Sequence, residues 1–170
     1  MSTIRKAAVA GRFYAGTKSV LQSDVRDMLN FDDETAVLPK ALIVPHAGYV
    51  YSGPVAASAY ALIKNSNINH VVLVGPSHYV PFEGIALSTA AYFETPLGQI
   101  PLNEEARRTL ADLPFVQQRD DAHQLEHSLE VQLPFLQEVL DDFTLTPLVV
   151  GHADGHQVAE VLEKLWGDEQ

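Results

Sequence analysis

Cysteine is absent from this 170-residue chain. That excludes a disulfide framework, a thiolate nucleophile and a Cys-type zinc site, so any metal has to be held by His, Asp or Glu. Cations are scarce as well: 11 Lys and Arg stand against 22 Asp and Glu, a formal net charge of −11. Nucleic acids and anionic membranes are bound through clustered basic side chains, so neither is expected as a partner, whereas a small molecule or a peptide is. No apolar run approaches the roughly 20 residues that span a bilayer. The opening "MSTIRKAAVAGRFYAG" holds too few apolar residues before Gly11 for the core of a signal peptide, about 7–15 residues, which makes a cytoplasmic location the expectation.

What the chain does have is enough apolar matter for one core. At 46% apolar residues and a mean hydropathy of zero it reads as a single domain over residues 1–170. Helical spacing predicts a helix over Lys18–Leu29, followed by a polar loop, "NFDDETAVLPK". A strand is expected at Ala41–Val44, a helix opening on Pro54 and running to Ile63, and a second strand at His70–Val74, apolar throughout as a strand covered on both faces should be. These three make one parallel crossover unit. Further strands are expected at Gly84–Ser88 and Thr144–Val150, with a turn at "TPLG" between them. Helices are expected at Asn103–Leu113, at about Leu125–Leu140 with Pro134 kinking or dividing it, and at Asp154–Trp166 behind an Asp154/Gln157 capping box. The fold class is α/β, with a largely parallel sheet between helical layers.

Two strand ends carry similar signals. "LIVPHAGYVYSGP" and "VVLVGPSHYVPF" each run from apolar residues into a proline-bearing turn with a histidine, His46 in the first and His78 in the second. In open α/β sheets the ligand crevice lies beyond the carboxyl ends of the strands, so both imidazoles are expected on one rim, near enough to share an ion if their strands are adjacent. Two His and one carboxylate suit a non-haem iron centre, and the same ligands suit zinc hydrolysis. His152, in "VVGHADGH", ends a third strand and is expected to approach the same rim; His70 begins a strand and belongs to the opposite one, and His156 lies in a first helical turn. "HQLEH", His123 to His127, matches the H-x-x-E-H pattern of inverted zincins, where both histidines bind zinc from one helix face and the glutamate is general base. It lacks an evident third ligand, because Glu160 and Glu163 fall on an expected surface face.

Four segments in order, "AGRFYAG", "PHAGYVYSG", "GPSHYVPF" and "EHSLEVQLPFL", with "ETPLG" between the last two, strongly resemble the Memo family (mediator of ErbB2-driven cell motility; in prokaryotes, protein B of the AmmeMemoRadiSam system). The resemblance covers about Ala7 to Trp166. It implies a three-layer sandwich, its sheet largely parallel or mixed, similar to class III extradiol dioxygenases. It also implies that His46 and His78 match the family's two metal-binding histidines and that Glu126 and His127 match a segment lining the same cleft. His123 lies outside the shared segment, which makes "HQLEH" an accidental match. Tyr49 and Ser77, within the two histidine segments, and His152 complete the expected lining. Ala15 replaces a proline frequent in the family. Members also continue for roughly another hundred residues, within the usual domain range, and that part is expected to carry an S-D-x-x-H strand end and a third metal ligand, often cysteine.

The resulting expectation is a Memo-family protein whose cleft holds a divalent transition metal, Fe(II) first and zinc or copper next, with His127 as the base that takes a substrate proton. Dioxygenase-like chemistry is the leading function. A non-enzymatic peptide- or protein-binding module is its rival, and zinc peptidase chemistry comes third. With two imidazoles, weak metal binding is expected unless His152, Glu126 or a partner chain supplies a third ligand, and an uncovered apolar sheet edge is expected to favour self-association.

Overall fold

The computed structural model describes residues 3–30 and 37–166. Six helices and seven strands are placed among them. In chain order they are β1 (Ile4–Arg5), α1 (Lys18–Met28), α2 (Tyr49–Tyr60), β2 (His70–Pro76), β3 (Ile85–Leu87), β4 (Tyr92–Thr95), β5 (Gly98–Pro101), α3 (Glu104–Leu110), β6 (Val116–Gln118), α4 (Asp120–Gln124), α5 (Leu133–Val139), β7 (Thr144–Val150) and α6 (Gly155–Leu165). The main sheet has the order β2-β7-β3-β6 and is mixed: β2 runs parallel to β7 and β3 to β6, while β3 and β7 are antiparallel. A smaller sheet, β1-β4-β5, pairs the N-terminal strand with a hairpin.

Side-chain alternation along the central strands divides the core. Val71 and Leu73 of β2 and Leu145 of β7 join the cluster formed with α1, α2 and α5, whereas Val72, Leu148 and Val150 face α3 and α6. Helices therefore cover both faces of the main sheet, the α/β layering expected from the sequence. No helix among the described residues is long and apolar enough to cross a membrane.

Several boundaries differ from expectation, each for a local reason. Ala41–Val44 keeps the in-out alternation of a strand, with Leu42 and Val44 packed on the core and Ile43 fully exposed, but it pairs with no described strand and so forms no ladder. The first crossover unit is thus a helix and one paired strand preceded by an extended segment. β2 accordingly lies at the edge of its sheet, only partly buried, and is not covered on both faces. Helix α2 begins at Tyr49, whose N–H donates to the Phe13 carbonyl, and Pro54 falls inside it. The missing N–H of Pro54 leaves the Val50 carbonyl without its helical donor at an exposed position, where water can serve. The helix expected over Leu125–Leu140 is an irregular turn, a single 3₁₀ turn at Glu130–Gln132 and then α5, with Pro134 in its first turn. The Asp154/Gln157 capping box of α6 is present. Most of the expected loop after α1 lies outside the described residues.

A buried carboxylate ties the N-terminal segment to this scaffold. Glu130 is 1% exposed and accepts from the Arg5 guanidinium, the backbone N–H groups of Ala8 (2.8 Å) and Val9 (3.0 Å), and the Tyr14 hydroxyl (2.6 Å). Burial, and then the Glu130 charge, push the Tyr14 hydroxyl up from its ordinary value, so it remains a neutral donor. Removing one partner of a buried pair strands the others without compensation. Glu130→Ala is therefore expected to lower the unfolding free energy by about 3–5 kcal/mol, measured by urea denaturation. Lys6→Ala, which breaks the solvent-exposed pair with Glu94, should leave it nearly unchanged.

Candidate functional site

Three loops meet at one rim of the main sheet. His46 follows the extended segment and precedes α2; its loop is held from below by Gln132, whose Nε2 donates to the Pro45 carbonyl (3.1 Å), and Gln132 is itself fixed by the Tyr60 hydroxyl (3.0 Å). His78 lies two residues beyond β2, where the Ser77 N–H donates to the Val150 carbonyl (2.8 Å) and prolongs the register with β7. His127 sits in the irregular turn between α4 and α5, within the stretch where the expected long helix does not form.

The rings of these residues form a triangle, with centroids 5.2 Å apart for His46 and His78, 6.0 Å for His46 and His127, and 4.3 Å for His78 and His127. One ligand nitrogen from each lies within 4.8 Å of those of the others. Imidazoles bound to a common ion hold it at about 2.0–2.1 Å, so small side-chain rotations toward the centre are required. The chemistry of the donor set fits a transition ion. Two observations add to this: the buried Nδ1 of His127 has no hydrogen-bond partner, and burial, the leading effect, holds its imidazole below its ordinary pKa and therefore neutral. His46 and His127 line an open cleft of about 790 Å³ whose other walls include Phe13, Ile43, Val44, Pro45 and Tyr51. Phe13 packs on the His127 ring at 4.7 Å.

Glu126 stands behind the triangle. It is 2% exposed, and its carboxylate accepts from the His78 N–H (2.7 Å), His78 Nδ1 (2.8 Å), and the N–H groups of His127 and Ser128 (both 2.9 Å). Burial opposes its ionisation, but the hydrogen bonds from Ser128 and His78 prevail and hold the carboxyl below its usual range. The arrangement depends on Gly75, because a Cβ there would lie 2.8 Å from both Ser128 Oγ and Leu129 Cδ2.

The remaining sequence-derived candidates separate from this cluster. Ser77 lies at its edge, with Oγ donating to the Val80 carbonyl (2.7 Å). Tyr49, expected in the lining, is buried in the core, where its hydroxyl donates to the Val131 carbonyl (2.8 Å) and its ring packs on Phe135. His152 does not join the three histidines: its backbone bridges Glu83 and its residue is exposed. The third group that converges with His46 and His78 among the described residues is the His127 imidazole, not a carboxylate. His127 was legible only as part of the cleft segment; its place in the triangle depends on a turn that apolar spacing reads as helix.

"HQLEH" does not make a zincin helix. α4 ends at Gln124, and His123 points away, 1% exposed, with Nε2 bonded to the Ala86 carbonyl (3.0 Å).

The family description "Memo-like protein" matches residues 5–170. The chain is 34% identical to a MEMO1 family protein of Thermoplasma volcanium over 167 residues, covering 95% of this chain and 62% of that protein. It is 36% identical to one of Aquifex aeolicus over 166 residues, covering 97% and 61%, and 35% identical to the protein memo-1 homolog of Caenorhabditis elegans over 157 residues, covering 89% and 44%. An α/β protein with a histidine-lined cleft at its sheet rim is thus matched along nearly its whole length. The chain belongs to the Memo family. It spans about three fifths of the length of the first two relatives.

The buried His123 has a measurable signature. Burial, as the largest effect, holds its imidazole down at about 4 from an ordinary 6.5. Above pH 6.5 both the folded and the unfolded chain leave it neutral. As pH falls from 6.5 toward 4 only the unfolded chain takes up the proton, so stability is lost across that window, by about 3 kcal/mol from this residue. Unfolding free energies measured from pH 7 to 4 should fall accordingly, and His123→Gln should reduce the slope by about one proton.

Proposed function

We propose that the cleft is a metal site in which His46, His78 and His127 hold one divalent transition ion, Fe(II) foremost, and that it serves dioxygenase-like or related redox chemistry on a small molecule. The convergence of three imidazole nitrogens within 4.8 Å at the mouth of an open cleft carries this reading. His127 was the expected proton acceptor; as a member of the triangle it is better suited to be the third ligand. When bound, such an ion supplies open coordination positions for substrate and a co-reactant. The protein's part is to place them. Phe13, Ile43, Val44 and Pro45 give the cleft apolar walls against which a substrate body can lie, and none of its described lining residues is Lys or Arg. Three loops anchored to a common carboxylate and to Gln132 keep the imidazoles converged.

The identity of the ligands is tested by metal titration under anaerobic conditions. His46→Ala, His78→Ala and His127→Ala should each weaken Fe(II) or Zn(II) binding by more than about 100-fold, since even the partners of metal-bound histidines cost roughly 10–100-fold. His70→Ala and His152→Ala should leave it unchanged. Equal losses in all five variants, or binding that survives removal of the triangle, contradict the assignment. Oxygen consumption by the Fe(II)-loaded protein with a panel of aromatic and aliphatic oxygen donors then separates turnover from simple binding.

A further inference from the structure

The Glu126 carboxylate touches the site from behind, through His78. Its hydrogen-bond donors are the backbone N–H groups of His78, His127 and Ser128, and Nδ1 of His78 at 2.8 Å, while Nδ1 of His127 lies farther off, at 3.5 Å. The carboxylate is sealed from solvent at 2% exposure, so water does not stand in for any of them. An ionised carboxylate can only accept hydrogen bonds. Its bond to Nδ1 therefore requires the proton of the neutral imidazole to lie on that atom. Nε2 is then left with its lone pair, and it is the nitrogen available to an ion.

We propose that Glu126 is a positioning residue that locks His78 in the Nδ1–H tautomer and thereby keeps Nε2 a competent metal donor before any ion arrives. The inference rests on the metal-site reading for its purpose, although the tautomer itself does not. Glu126 is held in place from three directions. Arg5 Nη2 donates to its carbonyl (2.8 Å), Ser128 Oγ donates to the Pro76 carbonyl (3.0 Å), and Gly75 leaves room for the turn. The geometry thus joins the N-terminal segment, the end of β2 and the 126–128 turn through one side chain. Carboxylate support of this kind orients a metal-binding imidazole and raises its basicity.

Glu126→Gln and Glu126→Leu together distinguish positioning from packing. The Nδ1 contact falls on Oε1, which also accepts from the His127 and Ser128 N–H groups, whereas Oε2 accepts from the His78 N–H alone. In Glu126→Gln the amide oxygen therefore takes the place of Oε1 and still accepts from Nδ1–H, whereas Glu126→Leu keeps the bulk and offers Nδ1 no acceptor. Long-range ¹H–¹⁵N correlation spectra of the uniformly labelled, metal-free chain at pH 8 report this directly. The expected wild-type result is His78 as a pure Nδ1–H tautomer, with the exposed His156 as an internal reference. Glu126→Gln is expected to keep that tautomer, and Glu126→Leu to shift His78 toward Nε2–H with a roughly 10–100-fold loss of Zn(II) affinity. His78 protonated on Nε2 in the wild type, or a Glu126→Leu protein that folds and binds Zn(II) as the wild type does, would overturn the proposal. If Glu126→Leu prevents folding, the wild-type and Glu126→Gln spectra decide. A wild-type chain with the Nδ1–H tautomer and no metal affinity would defeat the metal reading while leaving the locking role of Glu126 established.

Discussion

The hydrogen bonds converging on the Glu126 carboxylate are the constraint on which the site depends. Burying a carboxylate costs several kcal/mol unless donors replace its water, and here three backbone N–H groups and one imidazole do so. Those donors belong to two loops 48 residues apart in sequence. To satisfy the charge, the end of β2 and the turn after α4 must meet, and His78 and His127 come together as a consequence. Glu130, four residues further on, repeats the arrangement for the N-terminal segment, and Arg5 bonds to both, through the carboxylate of one and the carbonyl of the other. The segment from Glu126 to Gln132 is therefore irregular because its polar side chains are more demanding than its helical backbone. Glu126, Ser128, Glu130 and Gln132 are all buried, a pattern no amphipathic helix would tolerate.

This explains what the sequence made legible. The histidine-bearing turns of His46 and His78 stood out because proline and glycine beside an apolar run mark a strand end, and strand ends in α/β folds form ligand rims. α1, β7, α6 and its capping box followed from spacing and cap chemistry, which are local. The hairpin β4-β5 was legible only as its turn, since Tyr92–Thr95 and Gly98–Pro101 gain their ladder from each other and from β1. Ala41–Val44 shows the converse: its apolar residues have strand character, yet a strand is defined by a partner, and none pairs with it among the described residues. His127 lay in the recognised cleft segment, but its proximity to His46 and His78 follows from the buried Glu126, a long-range electrostatic fact that periodicity does not encode.

The triangle differs chemically from two histidines and a carboxylate. In the proposed centre three imidazoles would leave a divalent ion its full charge, with Glu126 compensating through His78 and not by direct ligation. Such a centre would favour exogenous ligands that bring negative charge, and with no Lys or Arg among the described residues of the cleft walls that task would fall to the ion alone. Membership of the Memo family is shown along residues 5–170, whereas the chemistry is read from the side chains of this chain.

X-ray absorption at the edge of Fe(II) or Zn(II) bound to the anaerobically loaded chain tests the account at its centre. One ion per chain surrounded by three imidazole nitrogens at about 2.0–2.2 Å, reduced to two in His127→Ala, is the expected outcome. A shell of two or fewer imidazoles in the wild type, unchanged by loss of His127, would contradict it.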